Sequence, residues 1–402
     1  MTGSRLWLAL GVLVLAGCGS AGGAPALRVD RPTALWDKPV SITVTGARSN
    51  AVVELRASAV DYRGVRYASA TMARADGHGR LTLRGNSAMR LVWSLAPKGG
   101  PPYYYVSREW TAPITLSARV RGHSLTTILR REGRAPGIRT RMLRVAHDGV
   151  YGELFTPRPQ GRKPGILVIG GSEGGLHPGV DEWMLSSHGY TTLSVAYFDA
   201  PALPQDLHNI LLEYFARALR ILAAEPGVDP SRIVVYGISY GGQVAQLLGI
   251  HYPTVVHGVV ALVTANGSWC GIPALQSQPR KCLGAAWTFH GKPIPYDPYS
   301  NPYSSPAPFH DEAINGPIFL ACGEADRFAS CPSEQAIVAR LHAHHFSHGL
   351  AFLDYPNVGH GIGELVPYTP AYDPSIDGDH PDANQRARVQ AWPKLLRFLA
   401  AL

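Results

Sequence analysis

The stretch Arg232-Ile-Val-Val-Tyr-Gly-Ile-Ser-Tyr-Gly-Gly-Gln243 combines the signals of a strand, a sharp turn and a helix. Its first half is apolar and β-branched, as expected for a strand that is buried on both faces. Between this strand and a segment with helical spacing of apolar residues, 241–249, lies the G-x-S-x-G pattern of residues 237–241. Small residues must flank such a turn, because a Cβ would clash with the neighbouring backbone. The turn directs the Ser239 hydroxyl out of the sheet, at the positive end of the helix, and predicts a nucleophile. The alternative is a glycine-rich loop with a bystander serine.

The composition is that of a globular protein. The chain has 402 residues, of which 46% are hydrophobic and 16% charged, so two domains and a leader are expected. The formal net charge is +8, but no run of consecutive Lys or Arg concentrates it. This charge indicates a diffuse preference for anionic surfaces and no nucleic-acid site.

The first 26 residues are typical of an export signal and a tether. Arg5 precedes an apolar stretch, 6–15, that is too short for an ordinary membrane span. The following Leu15-Ala-Gly-Cys18 resembles a bacterial lipoprotein box, in which the cysteine is lipidated, and 19–25 is a flexible linker. The sequence therefore predicts an exported lipoprotein, anchored in a membrane through Cys18. A plain secretory signal is the alternative.

Four cysteines remain after Cys18: Cys270, Cys282, Cys322 and Cys331. In an oxidising compartment, an even number of cysteines suggests disulfides. Proximity in sequence favours the pairs 270–282 and 322–331, although three pairings are possible. Neither pair has the spacing of a metal site. Unbridged buried thiols are the alternative.

Residues 27–135 are predicted to form an all-β domain, a small immunoglobulin-like sandwich. Apolar and polar residues alternate in 40–45, 52–57 and 114–120, as in half-buried strands. Tyr103, Tyr104 and Tyr105 could form an aromatic patch or a pocket rim, but such a run is more often divided between core and surface. Residues 132–137 are predicted to link this domain to the next.

Strand and helix signals alternate in 138–402, which predicts a mostly parallel sheet covered by helices. The predicted strands are 140–147, 150–156, 165–170, 191–197, 233–236, 256–263, 317–321 and 350–355, and the predicted helices are 204–224, 333–345 and 387–401. A stretch rich in Pro, Trp and Tyr, 266–311, is interpreted as an insertion over the site, since loops of that length are usually functional.

A serine needs a base to take its proton and an acid to orient that base. For a nucleophile on such a turn, the order along the chain is Ser, acid, His. Asp326 and Glu324 both follow the strand 317–321; Asp326 is preferred for its spacing, and Glu324 is the alternative. His360, between glycines after the last strand, is the predicted base.

The negative oxygen of a reaction intermediate needs two backbone N–H donors. One is predicted at Tyr240, and the other in the turn 170–175, at Gly171 or Ser172. This turn lacks the Lys-Ser/Thr ending of a phosphate-binding loop and the glycine spacing of a dinucleotide site. No cofactor is therefore expected.

Two clusters of potential metal ligands have simpler interpretations. His342, His344, His345 and His348 lie at a predicted helix end, where cationic side chains are favourable. Asp373, Asp377, Asp379 and Asp382 lack the pattern of a calcium loop. No metal site is expected.

The chain resembles the acyl-CoA thioesterase and bile acid-CoA:amino acid N-acyltransferase family. The resemblance is most specific in residues 196–215 and extends over nearly everything after the leader. Its other matching segments are 34–42, 91–95, 165–176, 237–241, 356–360 and the end of the chain from Ala383-Asn384 through Trp392 and Phe398. It implies an α/β-hydrolase domain with a Ser239, Asp326 and His360 triad, preceded by a β-sandwich domain.

This resemblance implies a serine acyl hydrolase that cleaves an ester or thioester. In the family, transferases that form amides tend to carry Cys at the nucleophile, so Ser239 favours transfer to water. Coenzyme A is a cytoplasmic cofactor, whereas this chain carries an export signal. Acyl transfer to an amine or alcohol, and a non-catalytic binding lipoprotein, are the alternatives. The sequence does not specify the oligomeric state.

Overall fold

The structure is a computed structural model that describes residues 24–97, 110–158, 161–176, 179–274, 281–298, 307–328, 330–370 and 380–402. Cys18, the tyrosines at 103–105 and the aspartates at 373, 377 and 379 lie outside the described residues. The helices are α1 (Asn86–Trp93), α2 (Val145–Asp148), α3 (Val180–Ser187), α4 (Leu212–Ala223), α5 (Tyr240–His251), α6 (Ser330–Ala343) and α7 (Pro381–Ala401), with 3₁₀ turns at Asp311–Ala313 and His360–Gly363.

The N-terminal part is a sandwich of two sheets. Its strands are β1 (Ala26–Val29), β2 (Thr33–Leu35), β3 (Ile42–Thr45), β4 (Val52–Val60), β5 (Arg66–Arg74), β6 (Leu81–Leu83), β7 (Ala96–Pro97), β8 (Ala112–Val120) and β9 (His123–Glu132). One sheet has the order β1-β3-β6 and the other β2-β9-β8-β4-β5-β7; all neighbours are antiparallel except β2 and β9. Along β4, Val53, Leu55 and Ala57 are buried while the residues between them face outward. This alternation confirms the predicted all-β class.

The C-terminal part is built on one eight-stranded sheet. Its strands, in spatial order, are β10 (Arg139–Leu143), β11 (Tyr151–Thr156), β13 (Thr191–Ala196), β12 (Lys163–Ile169), β15 (Val228–Ile238), β16 (Gly258–Leu262), β21 (Ile318–Gly323) and β22 (Leu350–Tyr355). The first three strands pair antiparallel and the others parallel. The prediction of an α/β domain with a mostly parallel sheet is confirmed.

Helices cover both faces of this sheet. On β12, Ile166 and Val168 belong to one apolar core, whereas Leu167 and Ile169 belong to the other. Helices α3 and α7 pack on the first face, and α4, α5 and α6 pack on the second. Because the central strands are buried on both sides, they contain apolar runs without alternation, such as 166–169 in β12 and 233–236 in β15.

The sandwich packs on the α3 and α7 face. Trp36 of the sandwich and Trp392 of α7 lie in one continuous core. The Asp37 carboxylate accepts a hydrogen bond from Trp392 Nε1 at 3.2 Å and is hydrogen-bonded to His188 Nε2 at 2.8 Å. At the far end of α1, Trp93 Nε1 donates to Asp382 at 2.9 Å. The two parts therefore share buried surface. The domain bounds 27–135 and 138–402 stay a prediction.

The helix predicted over 204–224 begins only at Leu212, and that part of the prediction is wrong. Residues 207–211 form extended pairings with the insertion instead: the backbone N–H groups of Leu207, Asn209 and Ile210 donate to carbonyls of residues 272–286. The insertion also contains regular structure, in contrast to the loop that was predicted. Its short strands are β17 (Ser268–Trp269), β18 (Trp287–Phe289), β19 (Lys292–Pro293) and β20 (Tyr296–Asp297). Strand β18 pairs with β14 (Ile210–Leu211).

One predicted disulfide forms and the other does not. Cys322 and Cys331 are bridged, with Cα atoms 5.1 Å apart. The pairing of Cys270 with Cys282 is wrong: Cys270 is buried, Cys282 is exposed, and no disulfide joins them. The physical reason is the register, because Cys270 lies opposite Ala285, three positions beyond Cys282.

In the described part of the chain, none of the helices has both the length and the apolar character needed to cross a bilayer. Within the same residues, no three His, Cys, Asp or Glu side chains come together in a way that could hold a metal ion.

Asp311→Asn is expected to weaken the pH dependence of stability. Asp311 is 1% exposed, and burial, with a contribution from Glu312, raises the pKa of its carboxyl to about 7. The unfolded chain loses this proton near pH 4, so the folded state is progressively destabilised as the pH rises from about 4 to 7. Melting temperatures at pH 5, 6, 7 and 8 should therefore fall less steeply with pH in the variant.

Asp229→Asn is the control for that measurement. Hydrogen bonds from the Ser231 hydroxyl and N–H lower the pKa of Asp229 to about 2, so its titration lies below the tested range. The variant should change the melting temperature by a similar amount at every pH from 5 to 8. Equal slopes for Asp311→Asn and the parent chain would contradict the prediction.

Candidate active site

Ser239 occupies a sharp turn between β15 and α5. Its φ of 57° and ψ of −117° are rare for a residue with a side chain, and such strain persists only where surrounding contacts enforce it. The Ser239 N–H donates to the Leu262 carbonyl at 2.9 Å, and the Ser239 carbonyl accepts from the Gly242 N–H at 2.9 Å. These bonds tie the turn to β16 on one side and to the first turn of α5 on the other.

The glycines around Ser239 are required by close backbone contacts. A Cβ on Gly237 would stand 2.0 Å from the carbonyl oxygen of Gly241, and a Cβ on Gly241 would stand 2.2 Å from that of Ile169. One on Gly242 would lie 2.6 Å from the side chain of Thr264. The spacing seen in the sequence therefore has a steric cause, since the chain turns back on itself with no room for side chains.

Gly237→Ala is expected to destabilise the protein by at least about 2 kcal/mol and to abolish activity, because the clash is with backbone that cannot rotate away. Gly77→Ala is the matched control, since a Cβ there meets nothing within 4 Å. Melting temperature and ester hydrolysis measure the two effects. A Gly237→Ala variant as stable and active as Gly77→Ala would refute the steric requirement.

Asp326 lies in the turn after β21 and is 6% exposed. Its Oδ2 is hydrogen-bonded to His360 Nδ1 at 2.8 Å and accepts from the Ser330 hydroxyl at 2.6 Å. Its Oδ1 accepts from the Phe328 N–H at 2.9 Å. The alternative acid, Glu324, is exposed to solvent. The structure thus brings Asp326, and not Glu324, to the predicted histidine.

His360 begins the 3₁₀ turn that follows β22. A Cβ on Gly363, at the end of this turn, would lie 2.7 Å from Ile238, the residue before Ser239. The turn is therefore packed against the same strand end that carries the serine. The Phe328 ring packs edge-on against the imidazole at 4.8 Å, and this phenylalanine is 44% exposed.

Two buried side chains that support this site were not found from the sequence. Arg388 of α7 is fully buried and donates to the Gly361 carbonyl at 2.7 Å, which fixes the turn after His360. The signal in the sequence was the spacing of this arginine from Ala391 and Leu395, which places the three residues on one buried face of α7. Glu334 of α6 accepts from the Thr264 N–H at 3.1 Å. Burial, assisted by the nearby Asp326 charge, raises the pKa of Glu334 well above its usual range.

The turn predicted to help bind the oxyanion lies beside the serine. A Cβ on Gly171 would stand 3.2 Å from the Ser239 Cβ, and Ser172 follows in the same turn. The Gly171 N–H donates to Glu173 Oε1 at 2.9 Å. The Tyr197 hydroxyl donates to the Gly170 carbonyl at 3.1 Å and also to that of Gly171. This turn is therefore held in place from within the sheet.

Aromatic residues of the insertion line the start of α5. The Tyr240 ring packs edge-on against Trp269, with centroids 5.1 Å apart, and its hydroxyl donates to the Cys270 carbonyl at 2.9 Å. Trp287 Nε1 donates to Gln243 of α5 at 3.1 Å. The described part of the insertion therefore packs against the start of α5, which follows the nucleophile, and places aromatic side chains there.

Comparison with known families gives two matches, and both descriptions name the same family. The model "Acyl-CoA thioester hydrolase/BAAT N-terminal region" matches residues 37–140, and "BAAT / Acyl-CoA thioester hydrolase C terminal" matches residues 210–401. The chain belongs to the acyl-CoA thioesterase and bile acid-CoA:amino acid N-acyltransferase family. The resemblance seen in the sequence is confirmed.

Members of this thioesterase family with curated descriptions are similar over most of the chain. The peroxisomal succinyl-coenzyme A thioesterase of Mus musculus is 29% identical, over 90% of this chain and 93% of its own length. Acyl-coenzyme A thioesterase 1 of Rattus norvegicus is 31% identical over 58% of each chain. Among solved structures, the α/β hydrolase MGS-M1 from a deep-sea metagenome library covers 66% of this chain and 98% of its own, with 17% identity and a TM-score of 0.44.

Proposed function

We propose that this protein is a serine hydrolase that cleaves acyl thioesters or esters. The observation that carries the proposal is the Asp326–His360 hydrogen bond, in a turn packed against the strand end that presents Ser239. A buried carboxylate on Nδ1 orients the imidazole and leaves Nε2 to act as the base. Membership of the family supports the same chemistry.

In the first half of the reaction, Ser239 Oγ attacks the acyl carbonyl carbon while His360 takes the hydroxyl proton. The carbonyl oxygen gains the negative charge, which the N–H groups of Tyr240 and of Gly171 or Ser172 would stabilise. The Gly171 N–H is bonded to Glu173 in this structure. The substrate oxygen therefore has to replace the Glu173 carboxylate before Gly171 can serve as a donor.

In the second half, the tetrahedral intermediate collapses and expels the thiol or alcohol, which receives the proton from His360. This leaves an acyl ester on Ser239. A water molecule then attacks that ester, with His360 again as base, and releases the carboxylic acid. An amine or alcohol in place of this water would give acyl transfer, the second candidate. The serine nucleophile favours water, because the transferases of the family tend to carry Cys.

We also propose that the enzyme is an exported lipoprotein, anchored through Cys18. The leader motif supports this, and so does the Cys322–Cys331 disulfide, since such bridges persist in oxidising compartments. Mass spectrometry of the mature protein should find acyl chains on Cys18, and an unmodified amino terminus would reject the anchor. Coenzyme A is a cytoplasmic cofactor, so the leaving group outside the cytoplasm could be another thiol or an alcohol.

A panel of p-nitrophenyl esters and acyl-CoA thioesters tests the proposed function. Purified protein should release p-nitrophenol or free thiol together with a carboxylic acid. Competing amine and alcohol acceptors in the same assays distinguish transfer from hydrolysis. No turnover of any panel member, by a protein that is folded by its melting transition, would contradict the proposal and favour a non-catalytic binding protein.

A further inference from the structure

Positive charge is concentrated in the sandwich. Residues 27–135 contain 18 Lys or Arg and 7 Asp or Glu, a net charge of +11, whereas residues 136–402 contain 18 and 22, a net charge of −4. The net charge of +8 for the whole chain is therefore divided unequally between these two parts. A charge of this sign on one part gives that part a preferred orientation towards an anionic surface.

Part of the positive charge lies at one end of the sandwich, which we name the basic end: the turns 46–51 and 75–80 and the hairpin turn 119–123. The first two turns are joined by hydrogen bonds from the Ala47 N–H to the Gly79 carbonyl at 3.0 Å and from the Asn50 N–H to the Asp76 carbonyl at 3.1 Å. The hairpin turn lies at the same end, because β8 pairs with β4 in a register that brings its last residues beside the start of β4.

The basic end presents four exposed arginines, Arg48, Arg80, Arg119 and Arg121, and Arg74 is exposed directly before its second turn. Its single acidic residue in sequence is Asp76, whose carboxylate accepts the N–H groups of Arg80 and His78 at 2.8 and 2.9 Å. These bonds lower the pKa of the Asp76 carboxyl, and its negative charge interacts with N–H groups inside the turn. Beside the arginines, Met72 is 71% exposed and Val52 is 51% exposed. Arginine interspersed with apolar side chains suits a headgroup layer, which offers both phosphates and acyl chains.

The chain also enters the sandwich at the basic end. Ala26 pairs with Thr45, and the Ala24 carbonyl accepts from the Thr45 hydroxyl at 3.2 Å, directly before the first turn of the basic end. Cys18 stands six positions before Ala24, a span of at most about 21 Å when extended. A lipid on Cys18 would therefore keep the bilayer within about 21 Å of Ala24, on the side of the basic end.

We propose that the basic end of the sandwich docks on the headgroups of anionic phospholipids. This inference rests on the proposed lipid anchor only for its orientation; the arginines and the two exposed apolar side chains form the surface itself. The lipid anchor and the basic end each bind a membrane weakly. Together they hold the enzyme on the bilayer in one orientation. A more negative hydrolase domain is repelled by the same bilayer, and so faces away from it.

The test uses full-length Cys18→Ser protein, which cannot be lipidated, and vesicle sedimentation. Vesicles of phosphatidylcholine with about 30% phosphatidylglycerol should bind it more tightly than pure phosphatidylcholine, and added salt should weaken that binding. In the same background, Arg48→Glu with Arg119→Glu should lower the affinity for anionic vesicles at least about tenfold. The apolar leader is present in every variant and in the measurements with both vesicle types, so it does not account for a difference between them.

Arg386→Glu with Arg397→Glu is the matched control, since both arginines are exposed on α7 and the change in net charge is identical. This variant should bind as the Cys18→Ser parent does. Equal losses in both double variants, or no preference of the parent for anionic vesicles, would overturn the proposal. Ester hydrolysis in solution should be unchanged in both, so a docking failure is distinguishable from a failure of the proposed activity, and mass analysis of Cys18 tests the anchor separately.

Discussion

Replacing Ser239 by alanine is expected to lower kcat/KM for ester hydrolysis by about 10⁴-fold or more and to end covalent labelling by a fluorophosphonate. In the proposed reaction, the Ser239 oxygen forms the acyl intermediate, and no other group can replace it without rebuilding the turn. The fold should survive, because alanine keeps the Cβ and the backbone bonds of Ser239 to Leu262 and Gly242. Steady-state kinetics and mass spectrometry of the labelled protein measure the two effects.

Ser231→Ala is the control for this experiment. Ser231 lies on the same strand, β15, but is exposed near its other end, where it bonds Asp229. The control should be labelled and should turn over substrate as the parent does. Persistent labelling of Ser239→Ala at full stoichiometry would show that another residue is the nucleophile.

The second large effect is expected for Asp326→Asn, which should lower kcat by about 10³–10⁴-fold with little change in KM. If the asparagine oxygen keeps the bond from the Phe328 N–H, its NH2 group takes the place of Oδ2 and faces the Nδ1–H of His360, which it cannot accept. The imidazole then turns or adopts the other tautomer, and Nε2 no longer accepts the serine proton. The side chain has the same size and its oxygen still accepts from the Phe328 N–H, while the Ser330 hydroxyl can accept from the new NH2 group, so the turn should still form.

Glu324→Gln tests the alternative acid that the sequence analysis kept beside the preferred Asp326. Glu324 is exposed two positions before Asp326, so its amide variant should keep full activity. Parallel kcat and pH-rate measurements on both variants decide the assignment. A large loss in Glu324→Gln and a small one in Asp326→Asn would reverse it.

Features of the fold that depend on local sterics were predictable from the sequence. The turn at Ser239 follows from glycines that a Cβ would turn into backbone clashes, and the strand 350–355 was predicted with the bounds that the structure gives it. Asp326 and His360 were found because each follows a strand of the parallel sheet, where the ends of neighbouring strands converge.

Features that depend on distant partners were not predictable. Residues 207–211 have helical spacing, but their backbone bonds go to the insertion, whose register also separates Cys270 from Cys282. Glu334 is a charged residue that the sequence does not distinguish from a surface position, and Arg388 is marked only by its spacing from Ala391 and Leu395. Their burial becomes evident only when α7 and α6 are packed on the sheet.

The Cys322–Cys331 bridge closes the loop that carries Asp326, so the compartment in which the chain folds affects its chemistry. In the reducing cytoplasm of an expression host, the acid would be carried on an open loop whose position is less restricted. Recombinant protein recovered from that source is therefore expected to have lower specific activity than protein secreted into a periplasm. Oxidation by a glutathione redox buffer should restore the activity, and Cys331→Ser should prevent this recovery.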